Sequence, residues 1–280
     1  MFEPVFSQTD DMTLDEIIAR LSSNDAVEAI LTLGSTREGP LQPHSDYDLL
    51  VVLTEMPVPL HVLLTTVDGR LTDVLFAHSS LITEVLGEGD EEASSAYEGT
   101  LVERLKTGRV VYDQGGRIRR AQERLAGREW LVKPDERDIY YYAVHGIHYN
   151  YQQNKRYFDY DTPLYRLALD IRLHYSLVQV LLGYFQVRRI PWQGEKKAIQ
   201  YWQIRDPAYL ALFQQYHATT DRRERFTIYT ELAERTLAPV GGMWPKDVVN
   251  VLLDGDEWDL DDVAAAADFW HSLLHVRGSP

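Results

Sequence analysis

The chain has 280 residues, of which 45% are hydrophobic and 25% are charged, and it carries a net charge of −15. These proportions are typical of a globular protein, and the length predicts two domains. The sequence has no apolar run of eighteen residues, no basic segment near its start and no cysteine. This pattern argues against a membrane span, a secretory signal, disulfides and thiolate zinc sites, so we expect a cytoplasmic protein without a membrane partner.

The acidic charge is concentrated in the first third of the sequence. Residues 1–98 contain nineteen acidic residues but only three basic ones, whereas residues 99–280 are nearly balanced. Because nucleic-acid binding needs a cationic surface, no nucleic-acid partner is expected. An acidic surface would attract divalent cations or a cationic small molecule, although solubility explains such a surface equally well.

The first part of the sequence predicts a small mixed sheet with helices. A capping box at Thr13 and Glu16 begins an amphipathic helix, and an Asp68-Gly69 turn predicts a hairpin. The predicted strands share apolar, β-branched runs that end at turn residues; they are 27–33, Tyr47–Leu53, Val62–Val67, 70–76 and 110–112. Helical character is expected around 101–105 and at 117–128.

Beyond Pro134 the character becomes helical and rich in aromatic residues. Capping and proline signals predict consecutive helices with short connections; they cover about 135–158 and 164–186, begin again at Asp206-Pro207 and at Asp221, and end with 258–275. The expected organisation is an α/β domain over residues 1–128, followed by an all-α helical bundle over residues 129–280 that binds the substrate.

The segment with the most chemical information runs from Gly34 to Val52. Asp46 and Asp48 stand two apart at the start of an apolar strand, so their carboxylates share one face. Two such charges repel unless a cation lies between them, and Mg²⁺ prefers one or two carboxylates together with substrate phosphates. The preceding Gly34-Ser35 turn offers backbone N–H groups and a hydroxyl to a phosphate.

A third carboxylate is expected on a neighbouring strand. Asp73 lies within an otherwise apolar strand, where an acid without a partner is costly. Asp68 is the competing residue, but the Asp-Gly context explains it as a turn residue. Asp73 is therefore the predicted third metal ligand.

The sequence resembles the nucleotidyltransferase superfamily typified by DNA polymerase β, whose pattern is Gly-Ser, roughly ten residues and then Asp-x-Asp. Here the pattern is Gly34-Ser35, ten further residues and then Asp46-Tyr47-Asp48. The run Ser-Asp-Tyr-Asp-Leu-Leu-Val-Val looks like the minimal nucleotidyltransferases and the aminoglycoside and lincosamide nucleotidyltransferases. The later 108–113 segment is similar to a strand near the end of that catalytic domain. The resemblance implies Asp46, Asp48 and Asp73 as catalytic Mg²⁺ ligands, and Gly34 and Ser35 at the triphosphate.

Arg37, three residues after Gly34, is also expected to bind the nucleotide. In the antibiotic nucleotidyltransferases an acid beside the acceptor hydroxyl takes its proton. Glu136, at the start of the first long helix of the second domain, is the candidate for this general base. Complementarity to the helix dipole explains an acid at that position equally well.

The resemblance implies transfer of a nucleoside monophosphate from an NTP such as ATP to a hydroxyl, with release of pyrophosphate. The expected acceptor is a small molecule such as an aminoglycoside-type antibiotic, and the chain could act as a homodimer. Three alternatives compete at this point, of which a polynucleotide polymerase is the least favoured because of the acidic charge. The protein could be a toxin–antitoxin-type nucleotidyltransferase that modifies a protein or RNA, or a non-catalytic nucleotide-binding module.

An aromatic cluster accompanies two histidines in the first long helix of the second domain. His145 and His148 share a helix face among tyrosines at 140, 141, 142, 149 and 151. Such a cluster could stack on a base or sugar ring. Packing between helices is the favoured interpretation, because aromatic residues at helical spacing usually form a core.

Overall fold

The structure is a computed structural model that describes residues 12–38, 41–42, 45–87, 96–127, 133–244, 248–255 and 258–274. The chain divides into two compact units, Met1–Val132 and Lys133–Pro280. The boundary expected after residue 128 falls outside the described residues. Within the described ranges, no helix combines the length and the apolar character that a membrane span requires.

The first unit contains a mixed five-stranded sheet with the strand order β3-β4-β2-β1-β5. Its elements follow in chain order: α1 (Leu14–Ser22), β1 (Val27–Thr32), α2 (Gly34–Glu38), β2 (Tyr47–Leu53), β3 (Val62–Val67), β4 (Arg70–His78), α3 (Ser80–Leu86), α4 (Ala96–Thr107), β5 (Arg109–Asp113) and α5 (Arg117–Leu125). β2 and β4 are parallel, whereas β1 pairs antiparallel with both β2 and β5. The expected small mixed sheet is confirmed.

The two faces of the sheet pack against different helices. On one face, Leu50, Val52 and Leu75 pack with buried residues of α3, α4 and α5. On the other face, alternate residues such as Leu49 and Val51 pack against apolar side chains of α1. The central strands are therefore covered on both sides, which explains why every residue of β1 and most residues of β2 are buried.

The capping box and the hairpin turn that the sequence predicts are both present. Thr13 and Glu16 make both hydrogen bonds of the capping box that begins α1. Asp68 and Gly69 have φ angles of 54° and 70° and connect β3 to β4 as a tight hairpin. This position confirms the interpretation of Asp68 as a turn residue.

The second unit is helical throughout its regular elements. These are α6 (Glu136–Tyr141), a π-helix (Tyr142–Tyr149), α7 (Asn150–Tyr160), α8 (Pro163–Gln186), α9 (Glu195–Arg205), α10 (Pro207–Ala218), α11 (Arg222–Leu237), a short 3₁₀ turn (Ala238–Val240) and α12 (Leu260–Leu274). Trp202, Tyr209 and Tyr229 are fully buried at the centre of its core.

Two features of this unit differ from the expectation. The single helix expected over 135–158 is interrupted by eight residues of π-helix, Tyr142–Tyr149. Helix α9 was not predicted, because its charged first turn and short apolar stretch give a weak helical period. The expected all-α architecture is otherwise confirmed.

Candidate functional site

Asp48 and Asp73 are direct neighbours on two parallel strands. The register of β2 and β4 pairs Asp48, the second residue of β2, with Asp73, the fourth residue of β4, and both residues are half-buried. Paired residues of adjacent strands point to the same face of a sheet. The two carboxylates therefore lie side by side, as the sequence analysis required of a third acid on a neighbouring strand.

Gly34 lies against Asp48. The N–H of Leu33 donates to the carbonyl oxygen of Asp48 over 2.9 Å, which brings the end of β1 beside the start of β2. Gly34 has a φ of +50°, and a Cβ at this position would overlap Oδ2 of Asp48. A side chain is thus excluded both by the backbone conformation and by the carboxylate.

Thr36 links the two aspartates of the Asp-x-Asp motif. Its hydroxyl accepts a hydrogen bond from the N–H of Asp48 over 3.1 Å and donates to the carbonyl oxygen of Asp46 over 3.4 Å. Thr36 thereby fixes the backbone on both sides of Tyr47. The sequence did not lead us to predict this role of Thr36, although its position directly after the Gly-Ser pair is a signal for it.

Arg70 ties the segment before Asp46 to the hairpin. Its Nη1 donates to the carbonyl oxygens of Gln42 and Ser45, each over 2.8 Å. Its guanidinium lies 5.7 Å from the ring centre of Tyr47, whose hydroxyl donates to Asp68 over 3.3 Å. Burial, and then the charge of Asp68, raise the pKa of Tyr47, so this phenol stays neutral at physiological pH.

The other predicted nucleotide-binding residues lie near the same end of the sheet. Gly34 and Ser35 are exposed at the start of α2. Nη1 of Arg37 donates to the carbonyl oxygen of Thr107 over 2.7 Å, which ties α2 to the end of α4. This bond gives Arg37 a structural function, and its contact with a nucleotide stays a prediction.

Glu136 belongs to the second unit. It is the first residue of α6, directly after the N-cap Asp135, which forms a capping box with Asp138. The Glu136 side chain is 67% exposed, and its Oε1 lies 3.5 Å from Nη2 of Arg189. The position is that of an ordinary first-turn acid, and the role of Glu136 as general base stays a prediction.

Asp48 and Asp73 together offer two neighbouring carboxylates to a divalent cation. In the part of the chain that the structure describes, no group of three or more His, Asp or Glu side chains is arranged to hold a metal ion. However, Oδ1 of Asp73 is buried and has no hydrogen-bond partner among the residues that the structure describes, which is costly for a carboxylate. A cation held by Asp48 and Asp73, with phosphate oxygens completing the shell, would satisfy this atom.

Comparisons with known proteins include a distant similarity to a solved structure. No protein-family model matches the chain, and no curated protein matches it. Among solved structures, it is similar to a nucleotidyltransferase-like protein from Exiguobacterium sibiricum with 14% identity and a TM-score of 0.36. This match covers 80% of the present chain and 73% of the other chain. Because the TM-score is low, we draw no functional conclusion from the similarity.

Proposed function

We propose that this protein is a nucleotidyltransferase that moves a nucleoside monophosphate from an NTP to a hydroxyl of a small molecule. The observation that carries the proposal is the pairing of Asp48 with Asp73 beside Gly34. Two neighbouring carboxylates next to an exposed glycine turn suit a Mg²⁺–triphosphate complex, because the cation compensates their repulsion and the glycine leaves room for phosphate oxygens.

Mg²⁺ would neutralise phosphate charge and polarise the α-phosphate. Asp48 and Asp73 would hold this ion, with Asp46 as the additional ligand that the resemblance implies. Gly34 and Ser35 would bind the triphosphate, and Thr36 would keep the Asp46–Asp48 backbone in place.

In the proposed reaction, the acceptor oxygen forms a bond to the α-phosphorus while the bond to the bridging oxygen of pyrophosphate breaks. Glu136 would take the proton of the acceptor hydroxyl. Pyrophosphate leaves with the electron pair of the broken bond, so the α-phosphorus changes only its oxygen partner. For the acceptor we propose a cationic, hydroxylated molecule of the aminoglycoside type, because residues 1–98 are strongly acidic.

The proposal is tested with the purified full chain, Mg²⁺, each of the four NTPs and a panel of aminoglycosides. Pyrophosphate release is measured, and mass spectrometry detects an acceptor that has gained a nucleoside monophosphate. We expect Asp48→Asn and Asp73→Ala each to lower turnover at least about a hundredfold, the scale of a positioned electrostatic group. Asp68→Ala is the control and should retain turnover, because it removes the turn residue and its hydrogen bond from the Tyr47 hydroxyl but leaves the Asp48–Asp73 pair in place.

Melting in metal-free buffer separates lost chemistry from lost folding. Asp48→Asn removes one of two neighbouring like charges, so its melting temperature should hold or rise. If Asp68→Ala loses turnover while Asp73→Ala keeps it, the assignment of the carboxylates is wrong. NTP binding without any turnover would favour a non-catalytic nucleotide-binding module. Transfer of the nucleoside monophosphate only to a protein or an RNA would favour a nucleotidyltransferase of the toxin–antitoxin type.

A further inference from the structure

The second unit contains a cavity of about 620 Å³ between the π-helix and the segment 248–255. His145, His148 and Tyr149 line it from the π-helix, and Gln152 lines it from α7. Asn250 and Leu252 form the opposite side. A cavity of this size is within the range of small-molecule sites.

One wall of the cavity is an aromatic platform. The rings of His145 and Tyr149 are stacked with centroids 5.5 Å apart and planes only 9° from parallel. Tyr149 is 49% exposed although it belongs to a helix with a buried face. An exposed aromatic ring at the edge of a cavity offers a surface on which a planar ligand can stack.

Another feature of the cavity wall is a buried ring nitrogen of His148 that makes no hydrogen bond to the described residues. The residue is 5% exposed, and within the described part of the chain its Nδ1 has no hydrogen-bond partner. Burial lowers the pKa of His148, so the ring is neutral at physiological pH and offers one donor and one acceptor. A buried polar atom without a partner calls for a specific explanation, such as a bound molecule.

The backbone of this wall is unusual. An eight-residue π-helix is rare, and π segments occur often at functional sites. A buried network supports it: Nδ2 of Asn150 donates to the carbonyl oxygen of Gly146 over 3.0 Å, and Nη2 of Arg172 donates to Oδ1 of Asn150 over 2.7 Å. The fold thus maintains an unfavourable helix where the cavity lies.

We propose that this cavity binds a planar, uncharged heteroaromatic ring of the nucleobase type. Tyr149 would stack on the ring, while the carboxamides of Gln152 and Asn250 would pair with its donor and acceptor edge. An uncharged ligand is favoured because no Asp, Glu, Lys or Arg is among the described residues that line the cavity. The proposal uses residues of the second unit only and does not depend on the proposed transferase activity.

Adenosine, guanosine, cytidine and uridine are the probes, with the full chain and without Mg²⁺ or phosphate. Saturation-transfer NMR and calorimetry measure binding, and ribose is the sugar control. We expect at least one nucleoside to bind with a dissociation constant of about 1 mM or lower, the affinity of a weak small-molecule complex. Tyr149→Ala should weaken this binding at least about fivefold, and Gln152→Ala should weaken it in the same direction.

Tyr160→Ala is the matched control, because Tyr160 is 64% exposed and does not line the cavity. Tyr160→Ala should leave nucleoside binding unchanged, and so should Asp48→Asn. Tyr149→Phe should retain nucleoside binding, because it keeps the aromatic ring. The proposal is overturned if no nucleoside binds, if ribose binds equally well, or if a folded Tyr149→Ala protein binds as tightly as the wild type. Loss of nucleoside binding in Asp48→Asn would also overturn it, since the ligand would then occupy the carboxylate site.

Discussion

At the scale of single residues, two glycines with similar backbone angles have different surroundings. Gly34 and Gly69 have φ values of +50° and +70°. A Cβ at Gly34 would overlap the carboxylate of Asp48, whereas a Cβ at Gly69 would meet no atom within 4 Å. Substitutions at these two glycines therefore separate the free energy cost of backbone strain from the cost of placing a side chain against Asp48.

Gly69→Ala should lower the free energy of unfolding by about 1 kcal/mol, the cost of a left-handed conformation for a residue with a Cβ. Gly34→Ala should lower it further and also abolish nucleotidyl transfer, because Asp48 must move. Urea unfolding and pyrophosphate release measure the two effects. Equal losses of stability and full activity in both variants would contradict the close approach of Gly34 to Asp48.

At the scale of elements, charged side chains join helices that are distant in sequence. Arg222 at the start of α11 binds Asp170 of α8 through two nitrogens, at 3.1 and 2.7 Å. The hydrogen bonds from Arg222 hold the pKa of Asp170 below its usual range, despite partial burial. By contrast, Lys155 and Asp159 form an i,i+4 pair within α7 alone.

Asp170→Asn should lower the free energy of unfolding at pH 7 by about 0.5–1 kcal/mol, since both side chains are about one-third exposed. Because the pKa of Asp170 is lowered in the folded protein, its ion pair with Arg222 stabilises the fold at pH values above the ordinary pKa near 4. This stabilisation is lost as the pH falls through the lower pKa of the folded state. The difference in the free energy of unfolding between the wild type and Asp170→Asn should therefore shrink between about pH 5 and pH 2.

Chemical denaturation at several pH values measures this difference. Asp159→Asn, the control on a single helix, should have a smaller effect, because its pair with Lys155 is exposed to solvent. A difference between wild type and Asp170→Asn that grows with acidification would show that the ion pair does not stabilise the fold.

At the scale of the whole molecule, the two units have separate cores and unequal charge. The sheet and the helical unit each bury their own apolar cluster, and nineteen acidic residues lie within residues 1–98. If the acceptor is a polycation, this charge contributes to its capture through long-range attraction, which salt screens over about 8–10 Å.

The KM of a polycationic aminoglycoside should therefore rise several-fold as salt increases from about 20 mM to about 150 mM. A neutral hydroxylated acceptor is the control, and its KM should stay constant. Initial rates at fixed NTP and Mg²⁺ concentrations provide the measurement. A KM that does not change with salt for the polycation would mean that the acidic surface serves solubility only.

The sequence by itself determined the features that depend on neighbouring residues. The Asp68-Gly69 hairpin and the Thr13 capping box form from interactions within four residues, so local patterns were sufficient. The continuous apolar run of β2 from Leu49 to Leu53 likewise indicates a strand that is buried on both sides of the sheet. These signals do not depend on the rest of the fold.

The tertiary structure alone decided which residues meet across long stretches of sequence. The pairing of Asp48 with Asp73 follows from the parallel register of β2 and β4, and that register depends on burial of both strands. The π-helix is supported by Arg172, more than twenty residues further along the chain. Helical periodicity does not distinguish a π-helix from an α-helix, because the difference lies in hydrogen bonds that distant side chains stabilise.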